Sequence, residues 1–182
     1  ANSWGSFMSF LRERATDALT TEIMRRRHLR RILDIEEQLY PKPWTHRTFV
    51  TELSEMRTGS RYYLVAYVGD VLVGYGGMWF SGDDAHITNI AVDPAWQGRG
   101  VATEMMIDLS ILAHDRGCTA MTLEVRHTNV AAQSLYRRFG FVPAGIRKRY
   151  YENKDDAIIM WAHGVDTGEF MERVRLIEAR RP

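Results

Sequence analysis

The stretch Gln97-Gly98-Arg99-Gly100-Val101-Ala102-Thr103 follows an apolar run, Asn89 to Val92, that breaks at Asp93-Pro94. It leads straight into a helical pattern. A strand ending in a glycine loop that opens a helix exposes several unpaired N–H groups at the positive end of the helix dipole. Such a loop binds phosphate without needing a charged side chain. Gly98 and Gly100 would let a pyrophosphate approach the backbone, and Arg99 would add charge. The same residues also suit a plain strand–helix connection, and the glycines alone do not choose between the two. Two other phosphate-binding patterns fail on sequence. There is no GxxxxGK[ST] loop, and from Gly98 the chain reads GRGVAT where a dinucleotide fold has GxGxxG.

Downstream, strand alternation over Thr119 to Arg126 puts Met121, Leu123 and Val125 on one face and Thr122, Glu124 and Arg126 on the other. A carboxylate inside a strand near the core needs a reason. Glu124 is either a proton acceptor or the partner of Arg126 in a same-face ion pair. Asn129 suits the N-cap of the next helix. The apolar face of that helix, through Ala131, Leu135 and Phe139, leaves Tyr136 at its margin, where the phenol either packs or reaches a cleft.

These residues need a framework, and 182 residues with 45% hydrophobic content can bury one domain's core. A net charge of +1 argues against a dedicated nucleic-acid binder. The basic clusters Arg25-Arg26-Arg27 with Arg30-Arg31, and Arg180-Arg181, read as solvated surface or as contacts to an RNA-rich assembly. Cys118 is the one cysteine, so no intramolecular disulfide forms, and a reducing, cytoplasmic setting is expected. Following Gly117 at the start of a strand, it reads as a small buried hydrophobe. No apolar stretch approaches ~18 residues, the start ANSWGSF lacks a signal-peptide pattern, and no metal-ligand cluster is expected among the six histidines.

Periodicity predicts a short helix over 6–18, a strand over 20–26 and an amphipathic helix over 28–40, stopped by the PKPW turn at 41–44. Thr45 caps a second helix to about 56. Strands follow over 62–68 and 71–80, joined by a hairpin at Gly69-Asp70, and a third runs over 86–92. Then come a helix over 100–116, a strand over 119–126, the short helix after Asn129, strands over 142–151 and 157–162, and a polar helix over 167–180. Grouped strands followed by a β-α-β-α-β alternation predict an α/β mixed sheet with helices on both faces.

Gln97-x-x-Gly100-x-Ala102 after IAVDP resembles the [RQ]xxGx[GA] pyrophosphate loop of the GCN5-related N-acetyltransferases. LEVRHTNVAAQSLYRRFGFV at 123–142 resembles that family's next motif. NIAVDP, LEVR, NxAAxxLY and RKRYY…DAIIM are similar to its RimI group, the ribosomal-protein-alanine N-acetyltransferases. The likeness covers roughly residues 20–163. It implies an N-terminal extension over 1–19, an acetyltransferase domain over 20–163 and a C-terminal helical extension over 164–182. The fold implied is a central, mostly antiparallel sheet whose central strands splay apart.

The reaction implied is direct transfer of an acetyl group from acetyl-CoA to a protein N-terminal amine, with a ribosomal protein as partner and without metal, membrane or direct nucleic-acid contact. The resemblance assigns the backbone of Ile90, Ala91 and Val92 to the pantetheine. It assigns Gly98, Arg99, Gly100, Val101, Ala102 and Thr103 to the pyrophosphate, and adds Asn129 as a cofactor contact. Glu124 becomes the general base and Tyr136 the general acid. An α-amine with pKa about 7.7–8.0 is already roughly a tenth neutral near pH 7, so a carboxylate acting through water suffices. A phenol with pKa about 10 suits donation to a thiolate. The peptide groove points to Tyr40, Trp44, Tyr150 and Tyr151, whose alternative is core packing. An acceptor lysine, polyamine or drug amine, and a non-catalytic acetyl-CoA-binding module, are the rival readings.

Overall fold

A computed structural model describes residues 18–181. The helix expected over 6–18 lies, but for its last residue, outside the described residues. Seven strands form one sheet in the order β1-β2-β3-β4-β5-β7-β6. They are β1 Leu19–Ile23, β2 Arg61–Val68, β3 Val71–Ser81, β4 Asp84–Val92, β5 Ala120–Arg126, β6 Val142–Tyr151 and β7 Asp155–His163. Every neighbouring pair is antiparallel except β4 and β5. The helices are α1 Leu29–Leu39, α2 His46–Glu55, α3 Val101–Asp115, α4 Val130–Arg138 and α5 Gly168–Ala179.

Local chemistry sets the boundaries. The Thr45 side chain accepts from the Thr48 amide at 3.2 Å to start α2, and Asn129 and Thr167 cap α4 and α5 in the same way. The first strand ends at Ile23, short of the expected 26, because Arg26–His28 turn into a 3-10 helix that feeds α1.

Two apolar clusters flank the sheet. On one side α1 and α2 press Ile32, Ile35 and Phe49 onto Tyr63 and Tyr75. On the other, α3 and α4 press Met105, Leu109 and Phe139 onto Met121, Leu123 and Phe141. Burial of each such side chain contributes roughly 1.5–3 kcal/mol. The final helix is amphipathic rather than polar throughout. Phe170, Val174 and Ile177 are buried, α5 lies against α3, and Arg181 pairs with Glu104 of α3 at 2.7 Å.

The central strands part company. The parallel ladder between β4 and β5 holds only Asp84–Ala120, Ala85–Met121 and His86–Thr122. Just beyond His86 the β3–β4 register shifts, Met78 pairing with Ile87 and Gly77 with Asn89, so that Thr88 is left over as a bulge. A bulge bends its strand and increases the local twist. From Ile87 to Val92, β4 therefore carries an edge that no strand among the described residues pairs.

Candidate active site

A cleft of about 680 Å³ opens at this fork. One wall is the free edge of β4 and the start of α3, and the other is β5 with α4. The first turn of α3 has no side-chain cap: Gly100 stands at the N-cap in the left-handed region, φ +82°. Its neighbour Gly98 is also left-handed, φ +72°, and a Cβ at either position would meet nothing within 4 Å. The loop therefore needs glycine for its backbone angles while leaving open space beside the uncapped amides.

Of the residues expected at the cofactor, Ile90, Ala91, Val92, Gly98, Gly100, Val101, Ala102, Thr103 and Asn129 line the cleft. Arg99 is not among them; its guanidinium lies 4.8 Å over the ring of Trp96. The side-chain oxygen of Asn129 caps α4 by accepting from the Ala132 amide at 3.1 Å. Asn89 also lines the cleft, and its Oδ1 is buried without a hydrogen-bond partner. An uncapped helix start, an unpaired strand edge and an orphaned acceptor in one cleft suit acetyl-CoA, which brings phosphates to the first and amides to the other two.

Glu124 and Tyr136 both line the cleft. The ion pair with Arg126 considered from sequence is absent: Arg126 binds Glu152 at 2.8 Å and also Asp155. The partners of Glu124 are His86, with Nε2 2.9 Å from Oε2, and Arg147, with Nη2 3.4 Å from Oε1. The bond from His86 is the main influence holding the Glu124 carboxyl below its ordinary range; burial opposes it and Arg147 assists it.

Tyr136 is buried, on the inner face of α4 rather than at the margin, and its ring tilts against Phe141 at 6.0 Å between centroids. Leu135 packs against the core as expected and also lines the cleft, whereas Ala131, expected inward, lines the cleft and is exposed. Burial pushes the Tyr136 phenol well above its ordinary value, with the nearby phenols of Tyr40 and Tyr151 adding to the effect.

Among the residues expected at the acceptor, Tyr40, Trp44 and Tyr151 line the cleft. Tyr150 does not: it is half exposed and packs edge-on against Tyr151 at 5.0 Å. Burial raises the phenols of Tyr40 and Tyr151 to about 12 each. The Tyr151 hydroxyl donates to the Glu124 carbonyl at 3.3 Å, beside the base candidate.

Sequence reasoning missed Glu36, Asn89, Trp96 and Glu152 in this lining. For Glu36 a signal existed, a carboxylate on the apolar stripe of α1. It is buried, and its carboxylate accepts from the Tyr75 hydroxyl and from the Trp44 amide. Glu152 leaves no comparable mark, because its place depends on the β6–β7 turn reaching back to the cleft.

Residues 29–141 match the acetyltransferase (GNAT) family. The chain belongs to that family, and it is an acetyl-CoA-dependent N-acyltransferase. Its relatives are the RimI-type ribosomal-protein-alanine N-acetyltransferases. A Bacillus subtilis protein provisionally named [ribosomal protein bS18]-alanine N-acetyltransferase is 39% identical over 139 residues, which is 76% of this chain and 91% of that one. The N-alpha-acetyltransferase RimI of Mycobacterium tuberculosis is 36% identical over 142 residues, covering 75% and 86%. The crystal structure of the Escherichia coli ribosomal-protein-S18-alanine N-acetyltransferase superposes with a TM-score of 0.74 at 29% identity, over 84% of this chain and 97% of that one. Among the described residues no group of three or more metal-ligating side chains occurs, and no helix is long and apolar enough to cross a membrane.

Proposed function

We propose that this enzyme acetylates protein N-terminal α-amines, with the N-terminal alanine of a small-subunit ribosomal protein as acceptor. One observation carries the reading: Glu124 and Tyr136 line a single cleft at the β4–β5 fork, with Tyr40, Trp44 and Tyr151 in the same lining. The names of the relatives support the acceptor class.

Bound acetyl-CoA supplies an acetyl thioester. The amides of Gly100 to Thr103 would hold the pyrophosphate, and the unpaired edge of β4 would orient the pantetheine. Glu124, kept ionised through the neutral range, takes the proton from the acceptor ammonium directly or through water. An α-amine with pKa about 7.7–8.0 asks little of such a base, whereas a lysine amine near 10.4 asks more. Tyr136 keeps its proton until the thiolate departs and then donates it.

A cationic small molecule is the second reading, because Glu36, Glu124 and Glu152 all line the cleft. Each is already engaged, by Tyr75 and Trp44, by His86 and Arg147, and by Arg126 respectively. The deciding experiment follows acetyl transfer by intact mass on short peptides beginning with alanine, serine, glycine or methionine. N-blocked lysine peptides and spermidine run alongside. Transfer to free N-termini, alanine among the best, is expected. Transfer to lysine or spermidine alone overturns the acceptor. No transfer, with tight acetyl-CoA binding, favours a binding module.

A further inference from the structure

We propose that His86 is the positioning residue for Glu124, holding its carboxylate at the β4–β5 fork through Nε2. The inference rests on the reading of Glu124 as general base. His86 is the last residue of β4 that pairs with β5, opposite Thr122, and Glu124 lies two residues further along β5 on the face that Thr122 shares. The imidazole is therefore fixed where the strands still touch, and it reaches the first carboxylate beyond the point where they separate.

Three contacts fix it there. Its ring lies against Trp79, the residue opposite it on β3, with centroids 5.5 Å apart at 31°. Arg61, opposite Trp79 on β2, covers that indole at 5.4 Å and is itself held by Glu52 of α2 at 3.0 Å. Nε2 then stands 2.9 Å from Glu124 Oε2, a hydrogen-bonding distance. With Oε2 held by His86, the other oxygen meets, among the described residues, only the Arg147 guanidinium, 3.4 Å from Oε1, which is more than half exposed and constrains it weakly.

The arrangement orients the base. A neutral imidazole donating Nε2–H leaves the carboxylate available to an ammonium proton. The charged and titratable groups around Glu124 and His86 are Arg147 of β6, Tyr151 at the end of β6, and, through Trp79, Arg61 of β2 with Glu52 of α2.

The test measures kcat and KM with an alanine-starting peptide for His86→Phe, His86→Gln, Glu124→Gln and the Glu124→Gln/His86→Phe double variant. Phenylalanine keeps the packing on Trp79 but donates nothing. We expect kcat to fall about tenfold to a hundredfold, the scale on which misplacing a catalytic group slows a reaction, with acetyl-CoA affinity unchanged. Glutamine keeps a donor and should restore most of kcat. In the Glu124→Gln background, His86→Phe should cause no further loss. Wild-type kcat in His86→Phe, no recovery of kcat in His86→Gln, or fully additive losses in the double variant would each overturn the inference while leaving Glu124 as base. Unchanged kcat in Glu124→Gln would overturn both.

Discussion

Glu36 ties the proline turn to the sheet through Trp44. Its Oε2 accepts from the Trp44 backbone amide at 2.8 Å, while Oε1 accepts from the hydroxyl of Tyr75 on β3. One buried carboxylate thus joins α1, the PKPW turn and the sheet, and brings the Trp44 side chain to the cleft. Burial raises the Glu36 carboxyl above its ordinary value, and the two hydrogen bonds only partly offset this.

Removing that carboxylate strands two donors. Glu36→Ala should destabilise the fold by about 3 kcal/mol, the range for buried hydrogen bonds to a charged group, as measured by urea unfolding. The sign of the pH dependence follows from the raised value. Above the ordinary carboxylate value of 4.5 the folded state keeps a proton that the unfolded chain has released. Stability therefore falls as pH rises from there through the folded-state value. Glu36→Gln should lack this component, and parallel pH–stability curves for the two proteins would refute the assignment.

Glu124→Gln preserves shape and removes the proton acceptor. Turnover should fall about 10²- to 10⁴-fold, the usual contribution of a general base. The dissociation constant for acetyl-CoA, by calorimetry, should stay near that of the wild type. A large loss of cofactor affinity would undo the assignment as base.

Tyr136→Phe keeps the buried ring and its packing on Phe141, so thermal stability should change little. Thiol release, followed with a thiol-reactive dye, should slow about 10²-fold if the phenol acts as general acid. Because burial raises the phenol, Tyr136 keeps its proton beyond the ordinary tyrosine value of 10.0. No alkaline loss of rate belonging to this residue is expected below that pH, and one that vanished in Tyr136→Phe would contradict the burial argument.

Gly100 and Gly59 make a matched pair, with φ of +82° and +79° and no heavy atom within 4 Å of a built Cβ. Alanine at either should lower stability by about 1 kcal/mol from left-handed strain. Valine at Gly100 should in addition weaken acetyl-CoA binding by crowding the pyrophosphate loop, which valine at Gly59 should not. Equal cofactor affinities in the two variants would remove the loop from the cofactor site.

The C-terminal helix should matter for stability alone. Phe170, Val174 and Ile177 are buried by α5, yet none of its residues lines the cleft. Phe170→Ala should cost about 3–5 kcal/mol by chemical denaturation. The KM for acetyl-CoA, measured well below the melting temperature, should hold; a raised KM would show that α5 sets the position of the pyrophosphate loop.

What the amino-acid order determined by itself is local. The periodicities of α1, α3 and β2 to β4, the caps at Thr45 and Asn129, and the glycines at 98 and 100 act over a few residues, so one stretch of chain suffices to read them. The loop motif and the LEVR strand carried the family and the candidates Glu124 and Tyr136 for the same reason. Tertiary structure alone decided what these residues face. Whether Glu124 meets Arg126 or His86 depends on strand order and on a ladder that stops at Thr122. Whether Tyr136 lies at a margin or inside depends on which side of α4 the diverging strands leave uncovered. Glu36 and Glu152 join the cleft through a helix packing angle and a distant turn. These are relations between elements far apart in sequence, set by register, bulge and packing together, and no periodicity within a single segment encodes them.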